Sequence, residues 1–526
     1  MTLGLAAIAL PGPARPPVGP VFYLLCFFAA WIVVTNEWLN PSHTAAAAYH
    51  AAFLFGGYLL GIRWPASRLV RLYGVAMAGA SALALWAIWQ RTQGVSRPTA
   101  VFETPATLSA VLNMVFLPGV VLALLGRRRW LFLAALTVIA AALILAGSRG
   151  GWLGFGAGAV IAAMTFRHAG ALPDKRSLLV LGAVCIAAAV LSWLASTSWH
   201  APSGASNAGI SMLGPEAVRS SVARLELYEF AARAISSTSL LWGIGYLGFY
   251  YVLETGRESI ATYEQGITYF VHNDYLQVLL ELGVPGLVAL VALVVLPLLL
   301  CARAAPRTDR TQLAIAAGAG AALASMGAHA LVDYPFYVPM CLLLYGVTLG
   351  VASAAFQQPA GTAVRAKHGW FRQIFRGVLA AGVIWVTATP VLGELAARYA
   401  QRQWQRADGE RAAYWFEVAR HVAPRDWRYH WYAGQFWFSQ AAQNRKPEAA
   451  RLADRAFADG VSANPREVRN LLGRIATQVQ LRALLDSPAD AATLLAWADL
   501  AARIAPMDPV ARLQRRLLEE RLPALR

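Results

Sequence analysis

His272-Asn-Asp-Tyr-Leu-Gln-Val-Leu-Leu-Glu-Leu-Gly-Val-Pro-Gly286 runs without a break into Leu287-Val-Ala-Leu-Val-Ala-Leu-Val-Val-Leu-Pro-Leu-Leu-Leu-Cys301. The second half has no charged residue. Residues 280–301, with Glu281 as their one charge, reach the length of about 20 apolar residues that a helix needs to cross a hydrocarbon core. The first half is polar and titratable. A His-Asn pair therefore stands at the mouth of a membrane span, facing one aqueous compartment, and any chemistry is expected beside His272.

Working outward, the rest of the chain has the same character. Of its 526 residues, 58% are hydrophobic and 14% charged, where soluble domains carry about 25% charged residues. The apolar residues gather into about eleven stretches of spanning length. They lie near 20–36, 45–62, 70–89, 106–126, 130–147, 151–166, 177–196, 280–301, 311–330, 338–356 and 377–393. The fold class expected is an all-α polytopic membrane protein. The loops alternate in charge. One set holds Arg63, Arg68 and Arg71; Arg127, Arg128 and Arg129; Arg167, Lys175 and Arg176; Arg303, Arg307 and Arg310; and Arg365, Lys367, Arg372 and Arg376. On the other side, 36–44 and 332–337 contain no Lys or Arg. Basic loops stay in the cytoplasm, so the N-terminus is expected inside and, with an odd number of spans, the C-terminus outside. The net charge of +17 is assigned to this orientation, because no basic-aromatic pattern for nucleic acid accompanies it. Cys26, Cys185, Cys301 and Cys341 fall in or beside apolar runs and show no metal-binding spacing. Residues 1–20 lack a basic leader and a cleavage site and read as a retained tail.

Two segments stand apart from the spans. Residues 197–274 form a long external loop, Ser/Gly/Pro-rich at first and then helical near 216–235, where Leu227, Phe230, Ala231, Ala234 and Ile235 share a face. Residues 1–393 are expected to form the membrane domain and 394–526 a soluble external array of helices. In that array Pro424, Pro465 and Pro506 recur at intervals of 41 residues, each closing a helix. The array resembles tetratricopeptide repeats, whose usual period is about 34, and is expected to bind a protein partner or brace a neighbour.

Polar residues then collect on the external side. Arg149 lies in the turn Gly147-Ser-Arg-Gly-Gly151, Arg224 on the loop helix in Ser221-Val-Ala-Arg-Leu-Glu-Leu-Tyr228, and His329 and Asp333 in the next external turn. Each has a plainer reading. Arg149 could orient a loop, Arg224 could line a solvated face, His272 could cap the next helix with Asn273, and His329 and Asp333 could share a structural hydrogen bond. Together they suit a phosphate-bearing substrate. Arginine presents a planar fork of donors that matches phosphate oxygens, and histidine can take a proton from an attacking hydroxyl near neutral pH. No nucleotide phosphate loop or serine-nucleophile elbow is present in the sequence.

His272-Asn273, nine residues, then Gly283-x-x-Gly286 resembles the signature of the bacterial O-antigen ligase and polymerase superfamily, which also includes protein O-oligosaccharyltransferases. Gly-Ser-Arg-Gly-Gly at 147–151, Arg224-Leu-Glu-Leu-Tyr228 before Leu241-Trp-Gly-Ile-Gly-Tyr-Leu-Gly-Phe249, and His329-x-x-x-Asp333-Tyr-Pro335 support the resemblance. It implies a GT-C-type glycosyltransferase of the bacterial inner membrane that works without metal or other cofactor. Such an enzyme moves a glycan from undecaprenyl diphosphate to a lipid A-core, polysaccharide or protein acceptor on the periplasmic face. By position, the resemblance makes His272 the base for the acceptor hydroxyl and Arg149 and Arg224 the holders of the diphosphate, with Asn273, Gly283, Gly286, His329 and Asp333 in support. The rival readings are a polysaccharide transporter or flippase and a non-catalytic assembly protein. A transporter is expected to place its polar groups near the bilayer midplane and to show repeated halves, whereas these spans are nearly free of charge.

Overall fold

The computed structural model describes residues 19–40, 43–63, 66–125, 129–197, 215–256, 269–304, 310–356, 389, 392–506 and 508–525. Among them every regular element is helical. The N-terminal helices are α1 (Pro20–Leu39), α2 (Thr44–Arg63), α3 (Ala66–Thr92), α4 (Pro105–Leu125), α5 (Arg129–Ala146), α6 (Arg149–His168) and α7 (Lys175–Ser196). The external loop contributes α8 (Pro215–Ser236) and α9 (Phe249–Gly256), followed by α10 (Asp274–Ala304), α11 (Arg310–His329) and α12 (Pro339–Phe356).

Each apolar stretch expected up to residue 356 coincides with one of these helices, but not all have spanning length. Pro105–Leu125, Lys175–Ser196 and Asp274–Arg303 are long and apolar enough to cross a membrane. Pro20–Asn36, Ala46–Ile62, Phe132–Ala146 and Pro339–Ala355 are shorter apolar segments. The stretch 377–393 lies outside the described residues except at 389, 392 and 393.

Between apolar helices in lipid, association rests on close packing rather than on expulsion of water, so small residues mark the contacts. Gly57 and Gly61 of α2 face Gly346 and Gly350 of α12. A methyl on any of the four would strike a backbone oxygen of the other helix, at Leu343, Val347, Leu54 or Tyr58. The α6–α11 contact works the same way: a methyl on Gly154 would come 2.6 Å from the Ser325 oxygen and one on Gly158 2.6 Å from that of Ala321. These helices pack backbone to backbone, and α11 sits between α4 and α6.

A helix at 392–405 (α13) begins an array. It continues through α14 (Gly409–Val422), α15 (Trp427–Asn444), α16 (Pro447–Ala463), α17 (Val468–Gln480), α18 (Ala491–Ile504) and α19 (Pro509–Leu525). Three of these end where the proline pattern places their ends. Ala423, Asn464 and Ala505, each next to a proline, leave helical geometry at φ/ψ of −134/71, −147/96 and −134/74, because the following ring crowds the helical conformation. Asp408, Asp426, Glu467 and Asp490 cap the helices that follow. The array has apolar clusters of its own, such as Phe416 with Phe436, and Leu471 with Ile475 and Leu494.

Candidate functional site

α10 is two helices joined at a break. Asn273 opens it, its side-chain oxygen accepting the Leu276 N–H at 3.0 Å. Gly283 interrupts it at φ 69 and ψ −171, a conformation that costs a residue with a Cβ heavily. A methyl there would also meet the backbone oxygens of Leu241 and Leu240, at 2.5 and 2.7 Å. Gly286 has no such geometry and lies inside the second helix. Gly283 supplies the conformation of the break and Gly286 the room beside it, since a methyl on Gly286 would strike Leu282 Cβ.

A break inside a buried helix frees carbonyls that need other partners. Pro285 already denies Glu281 an intrahelical donor. The loop before α9 supplies replacements, with Ile244 N–H on Leu280 O at 3.1 Å and Gly245 N–H on Glu281 O at 2.9 Å. The Trp31 indole donates to Leu282 O at 2.8 Å, and Val284 N–H returns to Leu240 O at 2.7 Å. The buried Glu281 side chain completes the clamp. It accepts from Leu247 N–H, Phe249 N–H, Gln277 Nε2 and the Tyr337 hydroxyl at 2.9, 3.2, 3.1 and 2.6 Å. The loop and the half-helix 274–282 thus form one unit.

His272 stands immediately before that half-helix, at φ 60. Two aromatic residues hold it: the Tyr228 hydroxyl donates to its carbonyl at 2.8 Å, and the Tyr334 ring packs edge-on against the imidazole, centroids 5.1 Å apart. His272 Nδ1 lies 3.2 Å from Asp333 Oδ1. The other carboxylate oxygen faces Arg224 Nη2 at 3.9 Å and His329 Nε2 at 3.8 Å. Burial alone would raise the Asp333 pKa, but the hydrogen bond with His272 and the pull of His272 and His329 outweigh it and hold the carboxyl well below its usual range. Asp333 is an anion shared by two histidines and an arginine.

Arg149 is the first residue of α6, which Ser148 caps by accepting Gly151 N–H. Its guanidinium donates to Ser221 Oγ and, at 3.2 Å, to Ser220 Oγ, both on α8. Burial, then the nearby positive charges of Arg224 and Arg97, lower its pKa. Gly150 lets this turn approach closely, since a methyl there would press on the His329 ring at 2.6 Å. Below Arg149, a cleft of about 150 Å³ runs between α4, α5, α6 and α7, walled by Phe116, Leu143, Ile144, Trp152, Phe155 and Ala188. Trp152 and Cys185 border it and are exposed. Among the described residues no group of three His, Cys, Asp or Glu side chains is placed to hold a metal ion.

The structure thus brings His272, Asp333, Arg224 and His329 together and sets Arg149 beside them. Asn273 serves as a helix cap, and Gly283 and Gly286 lie at the far end of the half-helix. Arg97, Tyr228, Tyr334, Ser220 and Ser221 were not anticipated. Two of them carried a signal, since Tyr228 lies one helical turn from Arg224 and Tyr334 follows Asp333 directly.

Residues 133–291 match the family model described as O-antigen ligase. The chain carries an O-antigen ligase domain. No curated protein sequence matches the chain. The ligase domain contains Arg149, Arg224, His272, Gly283 and Gly286, while His329 and Asp333 reach the cluster from beyond its matched end. With the apolar helices, the domain marks a membrane protein of the glycan-transferring ligase and polymerase type.

Proposed function

We propose that the protein transfers a glycan from undecaprenyl diphosphate to an acceptor hydroxyl at the periplasmic face of the inner membrane. One observation carries this reading: a histidine bonded through Nδ1 to a buried carboxylate stands beside two arginines, above an apolar cleft. With Asp333 accepting at Nδ1, the neutral imidazole keeps its proton there and presents Nε2 as the base. The acceptor oxygen gives its proton to Nε2 and forms a bond to the anomeric carbon of the donor. The bond from that carbon to the phosphate oxygen breaks, and the diphosphate leaves with the electron pair. Asp333 stabilises the imidazolium, and Arg149 and Arg224 hold the departing charge.

Charge and shape agree with such a donor. Arg97, Arg149 and Arg224 set three positive charges against the single negative charge of Asp333, leaving room for the two charges of a diphosphate diester. The cleft below Arg149 accepts the first isoprene units, and its edge at Trp152 and Cys185 opens toward lipid. In this reading the basic loops are cytoplasmic, about eleven helices span the membrane, and the tetratricopeptide-like array at 394–526 stands in the periplasm. A lipid A-core, a growing polysaccharide and a protein all supply the hydroxyl required.

The test uses the full chain in vesicles with a polyprenyl-diphosphate glycan. His272→Ala is expected to abolish transfer at unchanged protein level and membrane insertion. Full activity in that variant removes the base from the mechanism. A strain lacking the protein, examined for capped lipopolysaccharide, polymer length and glycosylated protein, names the acceptor.

A further inference from the structure

The helical array after residue 392 leans on the loop that holds the broken helix. At the α16–α17 turn, Arg466 Nη1 donates to the Ile244 carbonyl at 3.4 Å. That carbonyl belongs to the same peptide unit as the Gly245 N–H, which donates to Glu281 O at 2.9 Å. One peptide plane is therefore held at both ends, by the array on one side and by the freed carbonyl of the half-helix on the other. Hydrogen bonds in series polarise one another, and a peptide fixed at both poles cannot rock. A second contact lies in α9. Tyr251 of α9 is buried, with its hydroxyl beside the Asn464 and Trp427 side chains of the array.

We propose that the array is a positioning element of the active site. Arg466 and Tyr251 fix the segment 244–251, this segment fixes the half-helix 274–282, and the half-helix carries His272 at its start. Neither residue touches substrate. The proposal rests on the reading of His272 as the base, but its mechanical part can be measured without any transfer. A free-standing acceptor-binding module would have no need of hydrogen bonds to the backbone that replaces the missing intrahelical donors.

The experiment compares the full chain in nanodiscs with Arg466→Ala, Arg466→Lys and Tyr251→Phe. Arg466 is exposed and Tyr251→Phe keeps the ring, so all three are expected to fold. Amide hydrogen exchange should rise about tenfold at Gly245 and Leu247 and spread to residues 271–284 in Arg466→Ala and Tyr251→Phe. Arg466→Lys, which keeps a donor, should restore protection. Kinetics should show kcat lowered about five- to tenfold, with the KM values for donor and acceptor unchanged within twofold. Exchange that rises only within 427–504 overturns the proposal, as does a raised acceptor KM at unchanged kcat, the result expected of an acceptor-binding array. If the wild-type chain transfers no glycan, the functional reading fails while the exchange result still decides whether the array fixes the half-helix.

Discussion

Asp333→Asn tests the centre of the site with little change of shape. The carboxylate touches His272 Nδ1 at 3.2 Å and stands 3.9 Å from Arg224. In the proposed transfer the imidazole becomes a cation, and Asp333 supplies its counter-charge. Two unit charges about 4 Å apart at an effective dielectric near 20 attract by about 4 kcal/mol, which corresponds to roughly a thousandfold in rate. His272 is 18% exposed, so water screens part of this, and kcat is expected to fall by about 10²–10³. The amide adds a second fault, because its NH₂ can donate to Nδ1 and move the ring proton to Nε2, where no base is left. Arg149 and Arg224 remain, so the donor KM should change by less than about threefold. Single-turnover transfer from a polyprenyl-diphosphate donor reads the chemical step, and thermal melting confirms the fold. A kcat within threefold of wild type in a folded Asp333→Asn protein would refute the coupling of His272 to Asp333.

Arg224→Lys replaces a fork with a point charge, and donor affinity measured by competition with a polyprenyl diphosphate should weaken about tenfold; unchanged affinity counts against diphosphate binding there. Gly283→Ala puts a Cβ at φ 69 against two backbone oxygens and should cost about 1–3 kcal/mol or more, seen as a lower melting temperature, whereas an unchanged one would show that the break relaxes freely. The pKa of Asp333 is depressed in the folded protein, so its stabilisation is present above the unfolded value of about 3.9 and is lost as pH falls from there toward the folded value. Melting followed from pH 5 down to pH 3 should therefore decline less steeply in Asp333→Asn than in wild type, and parallel curves would contradict this.

Helix placement was legible because it rests on long apolar runs, and the helix ends at Val422, Ala463 and Ile504 because a proline two residues on dictates them. Span length was less legible. A run such as 130–147 is apolar enough, but the helix that forms offers only Phe132–Ala146 as a described apolar segment. Within the site, His272, Arg224 and Asp333 stood out as polar residues beside apolar stretches, yet their contact is a product of packing. Asp333 lies 61 positions from His272, and no periodicity relates them. Arg97 was hidden for the same reason, since it reaches the Ala146 and Gly147 carbonyls from a loop with no motif. The spacing of Gly283 and Gly286 did not show that they act differently: Gly283 has the backbone conformation that requires glycine, and Gly286 leaves room for Leu282.

The sharing of Asp333 also bears on the order of events. The carboxylate lies between Arg224 and His272, and Arg224 neutralises part of its field at the imidazole. A diphosphate that binds Arg149 and Arg224 takes over the guanidinium and brings negative charge of its own. Both changes stabilise the imidazolium that forms as the acceptor loses its proton, so that step is favoured once the donor is seated. An acceptor hydroxyl arriving first lacks that stabilisation. This predicts ordered behaviour in which acceptor activation requires bound donor, and it gives the 3.9 Å separation of Arg224 from Asp333 a chemical sense: close enough to share the carboxylate, loose enough to let the arginine go.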